Sequence, residues 1–158
     1  MDKKLERIVK ANTTKKAEEL CYRTDDGKLI VISGVHGVIV DDDPTVTCMA
    51  TGDWGMQKRI QEMLLYGDKA IDIDKKAIKE EIKRRGCKRS KLDNTLYELE
   101  YGCAVNIYYL LDVMDAIEGF AVYMDTKSIQ RDKNGKHYCS GIAVNGHKGR
   151  GFICPIKY

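Results

Sequence analysis

No uninterrupted apolar run in the 158 residues approaches the ~20 that a membrane-spanning helix needs. The opening residues, Met1-Asp2-Lys3-Lys4-Leu5-Glu6-Arg7, lack the apolar stretch of a secretory signal. There is no Cys-x-x-Cys pair, and His36, His137 and His147 are scattered. A zinc ribbon or finger is therefore not expected, and Cys139 with His147 across a hairpin would supply only two ligands. Ser33-Gly34-Val35-His36-Gly37 is followed by no Gly-Lys-Ser/Thr opening a helix, so it is not a phosphate loop. The expectation from these absences is a cytoplasmic protein with no metal, no cofactor and no membrane contact.

What is present describes one ordinary domain. Apolar residues are 43% and charged residues 32%, a balance that permits a packed core without disulfides. Cys21, Cys48, Cys103, Cys139 and Cys154 sit among apolar or strand-like neighbours and read as small hydrophobes, kept reduced in a cytoplasm. The net charge of +3 is mild but uneven. Positions 75–91 hold Lys75, Lys76, Lys79, Lys83, Arg84, Arg85, Lys88, Arg89 and Lys91 against only Glu80 and Glu81, while acids slightly outnumber bases elsewhere.

Periodicity gives the elements. Residues 3–20 read as helix through Leu5, Ile8, Val9 and Leu20, interrupted at Asn12-Thr13-Thr14, where Thr13 or Thr14 would cap a second short helix. Asp25-Asp26-Gly27 lies between two apolar runs and predicts a hairpin; Val38-Ile39-Val40 is a third strand, ended by Asp41-Asp42-Asp43-Pro44. Residues 53–66 look helical, with Met56, Ile60, Met63 and Leu64 on one face and Trp54 as an anchor. Asp74 caps a polar surface helix that ends at Arg85 before Gly86. A strand at 96–101 precedes a helix capped by Asn106, carrying Ile107, Leu110, Leu111, Met114 and Ile117, and closed by Gly119. A strand at 120–124, a turn at 132–135 and strands at 137–145 and 150–157 complete the chain. Both ends thus run helix, strand, turn, strand, strand. Even the turns match, Arg23-Thr24-Asp25-Asp26-Gly27-Lys28 against Arg131-Asp132-Lys133-Asn134-Gly135-Lys136. Duplication and a coincidence of common turn types both account for this.

The segment from Tyr97 through Tyr109-Leu110-Leu111-Asp112, Met114, Ala116 and Ile117 resembles the strand-then-helix of the last domain of bacterial DNA polymerase III β sliding clamps. Phe152-Ile153-Cys154-Pro155-Ile156-Lys157 is similar to that family's chain end, and Asp26-Gly27-Lys28-Leu29-Ile30-Val31 with His36 resembles an internal strand pair. The resemblance covers roughly residues 1–45 and 95–158. It implies an α+β DNA-clamp (processivity) fold of two βαβββ-like halves, helices on one face and sheets on the other. A basic helical insertion at about 46–94 has no counterpart in the family. A clamp subunit has three such domains, against about one here.

The nucleic-acid candidates are Lys75, Lys76, Lys79, Lys83, Arg84, Arg85, Lys88 and Arg89, dense enough to neutralise several phosphates without reading sequence. The competing reading is a solvated helix face with i,i+4 Glu–Lys support. The family's peptide-binding pocket maps by position to Phe152, Cys154, Pro155 and Ile156, against the plainer reading of an edge strand whose Pro155 blocks further pairing. The helix at 106–118 carries Asp112, Asp115 and Glu118 and no base, so taken alone it repels phosphate. Catalysis is not expected. Asp41, Asp42 and Asp43 point in different directions, and Cys139 near His137 has neither a third orienting group nor an oxyanion hole. The expected function is that of a non-catalytic, clamp-like protein of DNA replication, contacting DNA phosphates and either replication proteins or copies of itself. The alternative is a phage or mobile-element protein that mimics a clamp domain to occupy a host factor without touching DNA.

Overall fold

Residues 1–48, 67–89 and 94–156 are described by a computed structural model. The helix expected at 53–66, its Trp54 anchor and Lys91 lie outside the described residues.

Helix α1 (Lys3–Lys10) starts where the Asp2 carboxylate accepts a hydrogen bond from the Lys4 backbone N–H, and it buries the stripe Leu5, Ile8 and Val9. Asn12 ends the run. Its Oδ1 accepts from the backbone of Thr14 and Lys15 at 3.0 Å each, and its Nδ2 donates to the Ser33 carbonyl at 2.8 Å. Neither Thr13 nor Thr14 therefore caps a second helix, because Asn12 has already claimed that turn. One 3-10 turn, Ala17–Leu20, follows, with the Lys16 N–H donating to Glu19 at 2.7 Å.

Strands β1 (Cys21–Arg23), β2 (Lys28–Ile32) and β3 (His36–Asp41) form an antiparallel meander. Strand β4 (Lys69–Ile71), helix α2 (Lys75–Arg85) and the ribbon β5 (Leu96–Glu98) with β6 (Ala104–Asn106) come next. Helix α3 (Ile107–Ile117) leads into β7 (Gly119–Met124), the ribbon β8 (Gln130–Arg131) with β9 (His137–Tyr138), then β10 (Ile142–Gly146) and β11 (Gly149–Ile153). The main sheet has seven antiparallel strands in the order β1-β2-β3-β11-β10-β7-β4.

That order sets a helix and three strands from each end of the chain side by side. The two last strands, β3 and β11, meet at the centre with Val38 opposite Gly151. The matching turns also close alike. The Thr24 N–H bonds to Lys28 O at 2.9 Å and the Asp132 N–H to Lys136 O at 2.9 Å, with Gly27 and Gly135 at φ of 75° and 80°. They differ in setting, since the first joins neighbouring strands of the main sheet and the second tips the separate β8–β9 ribbon.

Four expectations are corrected. β11 is paired on both sides, so it is no edge strand, and Pro155 follows the last paired residue, Ile153. The strand expected at 96–101 stops at Glu98, because Tyr101 and Gly102 take positive φ and fold the chain into a 3-10 turn. The helix ends on Glu118 in the left-handed region, and Gly119 already belongs to β7. The insertion is not wholly helical, since β4 pairs with β7 at the sheet edge.

Alternation along the strands assigns the faces. Leu29 and Val31 of β2 join the main core with α1 and α3, while Ile30, Ile32 and Phe152 form a second cluster. Five α3 side chains, Ile107, Leu110, Val113, Met114 and Ile117, are at most 1% exposed. Each contributes about 1.5–3 kcal/mol of transfer free energy as an upper estimate. Gly151 permits the close approach, because a Cβ there would lie 2.2 Å from Val113 Cγ1. α3 packs over the middle of the sheet and between α1 and α2. Among the described residues no helix is long and apolar enough to cross a membrane.

Candidate nucleic-acid interface

Asp74 caps α2 through the Lys76 N–H, and Gly86 closes it in the left-handed conformation, as the sequence predicts. Only Ile78 of this helix is fully buried, so the rest is free to carry charge. The eight candidate bases separate into two groups. Arg84 and Arg85 both hold Glu81, at 2.6–2.8 Å, and their hydrogen bonds bring its carboxyl down to about 2. Arg85 also donates to the Leu96 carbonyl at 2.6 Å. Lys75 reaches Asp115 at 3.1 Å. Arg89 forms a two-pronged bond to Asp112. These four hold carboxylates of the fold, Arg84 from an exposed position on the helix surface.

Lys76, Lys79, Lys83 and Lys88 are exposed, and no described acid lies within ion-pair distance of them. The first three are spaced i, i+3, i+7, which confines them to about 60° of the helix circumference, away from Ile78. They form a lysine stripe facing solvent.

The acids of α3, which taken alone repel phosphate, are each neutralised from outside the helix. Asp115 takes Arg7 of α1 at 3.5 Å as well as Lys75, Asp112 takes Arg89, and Glu118 at the helix end takes Lys148 at 2.7 Å. α1 flanks α3 on the other side with Lys3, Lys4, Arg7 and Lys10 against Glu6. Neutralised acids in the middle and exposed lysines on both flanks make this helical layer positive.

Asp112 has 0% exposure, and burial pushes its carboxyl above the usual range while Arg89 pulls it back. His36 is equally buried, with Nε2 at 3.9 Å from Asp112 Oδ2 and Nδ1 at 2.7 Å from Ser33 Oγ. Burial, helped by the nearby Arg89 charge, lowers its pKa to about 3, so the ring is neutral. Serine, histidine and aspartate in a row suggest a nucleophile system, but Ser33 is 5% exposed and its hydroxyl belongs to the 33–36 turn. Cys139 is also inert as a nucleophile: it is buried against Cys103, and its thiol is pushed up to about 12. His147 instead packs on Phe120, with ring centroids 4.8 Å apart. Asp41, Asp42 and Asp43 go separately to Lys28, Arg23 and Thr45.

The chain end is placed differently from the bases. Phe152 is 2% exposed inside the second cluster, while Cys154, Pro155 and Ile156 are half-buried. Cys154 and Ile156 are anchored by backbone bonds to Val35 and Ala104 at 2.7 and 2.8 Å. Sequence reasoning passed over Arg7, Tyr108 and Tyr109, which gather with Arg89 around one cleft. The adjacent tyrosines one turn inside the Asn106 cap were the available signal. Set against protein-family models, curated proteins and solved structures, the chain matches none.

Proposed function

We propose that this chain is a non-catalytic, sliding-clamp-like protein that lays its helical layer on the phosphates of duplex DNA. The observation that carries the reading is the lysine stripe Lys76, Lys79 and Lys83, exposed and with no acid among the described residues in ion-pair distance, beside a helix whose own acids are neutralised. The two helix-plus-three-strand halves, joined through β3 and β11, support the clamp reading, though among the described residues no strand precedes α1 and the first half is αβββ where βαβββ is expected. One pair of halves spans only part of a ring, so encirclement calls for several copies or a replication protein that completes it. Contact through lysines alone ignores sequence and weakens steeply with salt.

The test is a titration of fluorescent duplex DNA at several salt concentrations, with light scattering on the same samples. Wild type binds at low salt, and replacing Lys76, Lys79 and Lys83 together with alanine flattens log K against log salt by about 2.7 units, roughly 0.9 per lost phosphate contact. A wild-type protein that leaves duplex DNA unbound at low salt refutes the contact. If it is also strictly monomeric, the ring goes too, and the host-factor mimic becomes the better account.

A further inference from the structure

Between the C-terminal end of α1 and the N-terminal end of α3 lies a cleft of about 300 Å³. This is the volume of about ten waters and the lower end of the range for small-ligand sites. Tyr108 and Tyr109 wall it; Arg7, Lys10 and Arg89 line it; Thr13 is exposed beside them. We propose that it binds one unpaired nucleotide, with the base against the tyrosine wall and the phosphate on Arg7 and Lys10.

Both rings are fixed before any ligand arrives. The Tyr108 hydroxyl donates to the Cys87 carbonyl at 2.5 Å, and the Arg89 guanidinium lies 4.7 Å over its ring. The Tyr109 ring stacks on His36 at 4.4 Å and 13°, and His36 is itself locked to Ser33. A base meeting Tyr109 uses the side that His36 leaves open. Rings held this way lose little freedom on binding.

The cations are available to different degrees. Arg7 is 51% exposed and makes one 3.5 Å contact with Asp115, which keeps Lys75 if Arg7 swings away. Lys10 is 75% exposed and pairs with Glu6, itself half-buried. Such pairs hold their members weakly. Arg89 stays on Asp112 and serves as a fixed charge. An apolar ligand has no use for three cations, and an acidic peptide no use for two rigid rings. A planar base with an attached phosphate uses both sets. Bases inside an intact duplex remain stacked and cannot enter, so the cleft selects unpaired nucleotides. The inference is independent of the lysine stripe on α2, and either can fail alone.

The test uses three probes: thymidine monophosphate, an oligothymidylate containing 5-bromodeoxyuridine, and duplex DNA. The variants are Thr13→Trp, which fills the cleft from an exposed position, and Arg7→Gln. Wild type is expected to bind the single strand and, on irradiation, to crosslink at Tyr108 or Tyr109. Both variants weaken this binding, Thr13→Trp on the order of tenfold, the scale of one base–aromatic stack, and Thr13→Trp leaves duplex binding unchanged. Tighter binding of the oligomer than of the mononucleotide assigns the site to single strands; equal binding assigns it to free nucleotides. Crosslinks mapping only elsewhere, or Thr13→Trp binding like wild type while still folded, overturn the proposal.

Discussion

Replacing Arg89 with methionine keeps an unbranched side chain over Tyr108 and removes the guanidinium that faces Asp112. The carboxylate left behind has 0% exposure. At about 4 Å and an effective dielectric of 20, the lost attraction is about 4 kcal/mol. Stranding one member of a buried pair typically costs about 3–5 kcal/mol. Protonation sets a ceiling, because the native state can always neutralise Asp112. From an ordinary aspartate pKa of about 3.9 in the unfolded chain, at 1.36 kcal/mol per unit, that costs about 4.2 kcal/mol at pH 7 and about 1.5 kcal/mol at pH 5. Asp112 has a raised pKa in the native state, so the native form takes the proton before the unfolded chain does. Its penalty therefore shrinks as pH falls through that raised value. Urea unfolding followed by circular dichroism should place Arg89→Met about 3–4 kcal/mol below wild type at pH 7, and about 1.5 kcal/mol below at pH 5. Adding Asp112→Leu should recover much of the loss. A gap under about 1 kcal/mol at pH 7, or one that does not narrow at pH 5, would mean that Asp112 carries no buried charge.

Three further outcomes follow from local geometry. The His36 ring, held neutral down to about pH 3, stays unprotonated in the native state while the unfolded chain's histidine protonates near 6.5. Stability attributable to His36 is thus intact above pH 6.5 and falls by about 1.4 kcal/mol per unit below it. A His36→Phe variant should lack that slope, and a native imidazole midpoint near 6.5 by NMR would contradict the assignment. Asn106 caps α3 by accepting from the Tyr108 and Tyr109 backbone at 2.9 and 3.4 Å. Asn106→Ala should cost about 1–2 kcal/mol in thermal unfolding, and an unchanged midpoint would deny the cap. Glu118 sits at φ 52° and keeps only an exposed pair with Lys148. Glu118→Gly should therefore stabilise by about 0.5–1 kcal/mol, and any loss in the same melt would show that the pair outweighs the strain.

The helices that the sequence delimits correctly are those with a chemical signal at each end. Asp74 and Gly86 bound α2, and Asn106 starts α3, because a capping side chain and a left-handed glycine act within a few residues. The Asp-Gly and Asn-Gly turns are legible for the same reason. β4 is not: three residues on a sheet edge, Lys69–Ile71, are held by pairing with β7, some fifty positions away. The central place of β11 is equally hidden, since nothing in Phe152 or Pro155 tells whether β3 will lie beside it. The cleft is hidden further still, because Arg7, Arg89 and Tyr109 come from three segments that only tertiary packing brings together.

Charge is the property that linear reading distorts most. Along the chain, α3 is acidic and the stretch from 75 to 89 holds eight candidate bases. In space, Arg7, Lys75 and Arg89 cancel the acids of α3, and the two groups lose strength together. Four of those eight bases also pair with carboxylates of the fold. Eight free cations on that stretch would give it a salt-slope contribution of about 7, whereas the four lysines with no partner among the described acids give about 3.6. Replacing Lys76, Lys79, Lys83 and Lys88 should therefore remove the whole contribution. Replacing Arg84, which holds Glu81 by two short bonds, should leave the slope unchanged. If the Arg84 change instead lowers the slope by about one unit, that pair opens when DNA arrives, and the charge available to phosphate is closer to the linear count than to the folded one.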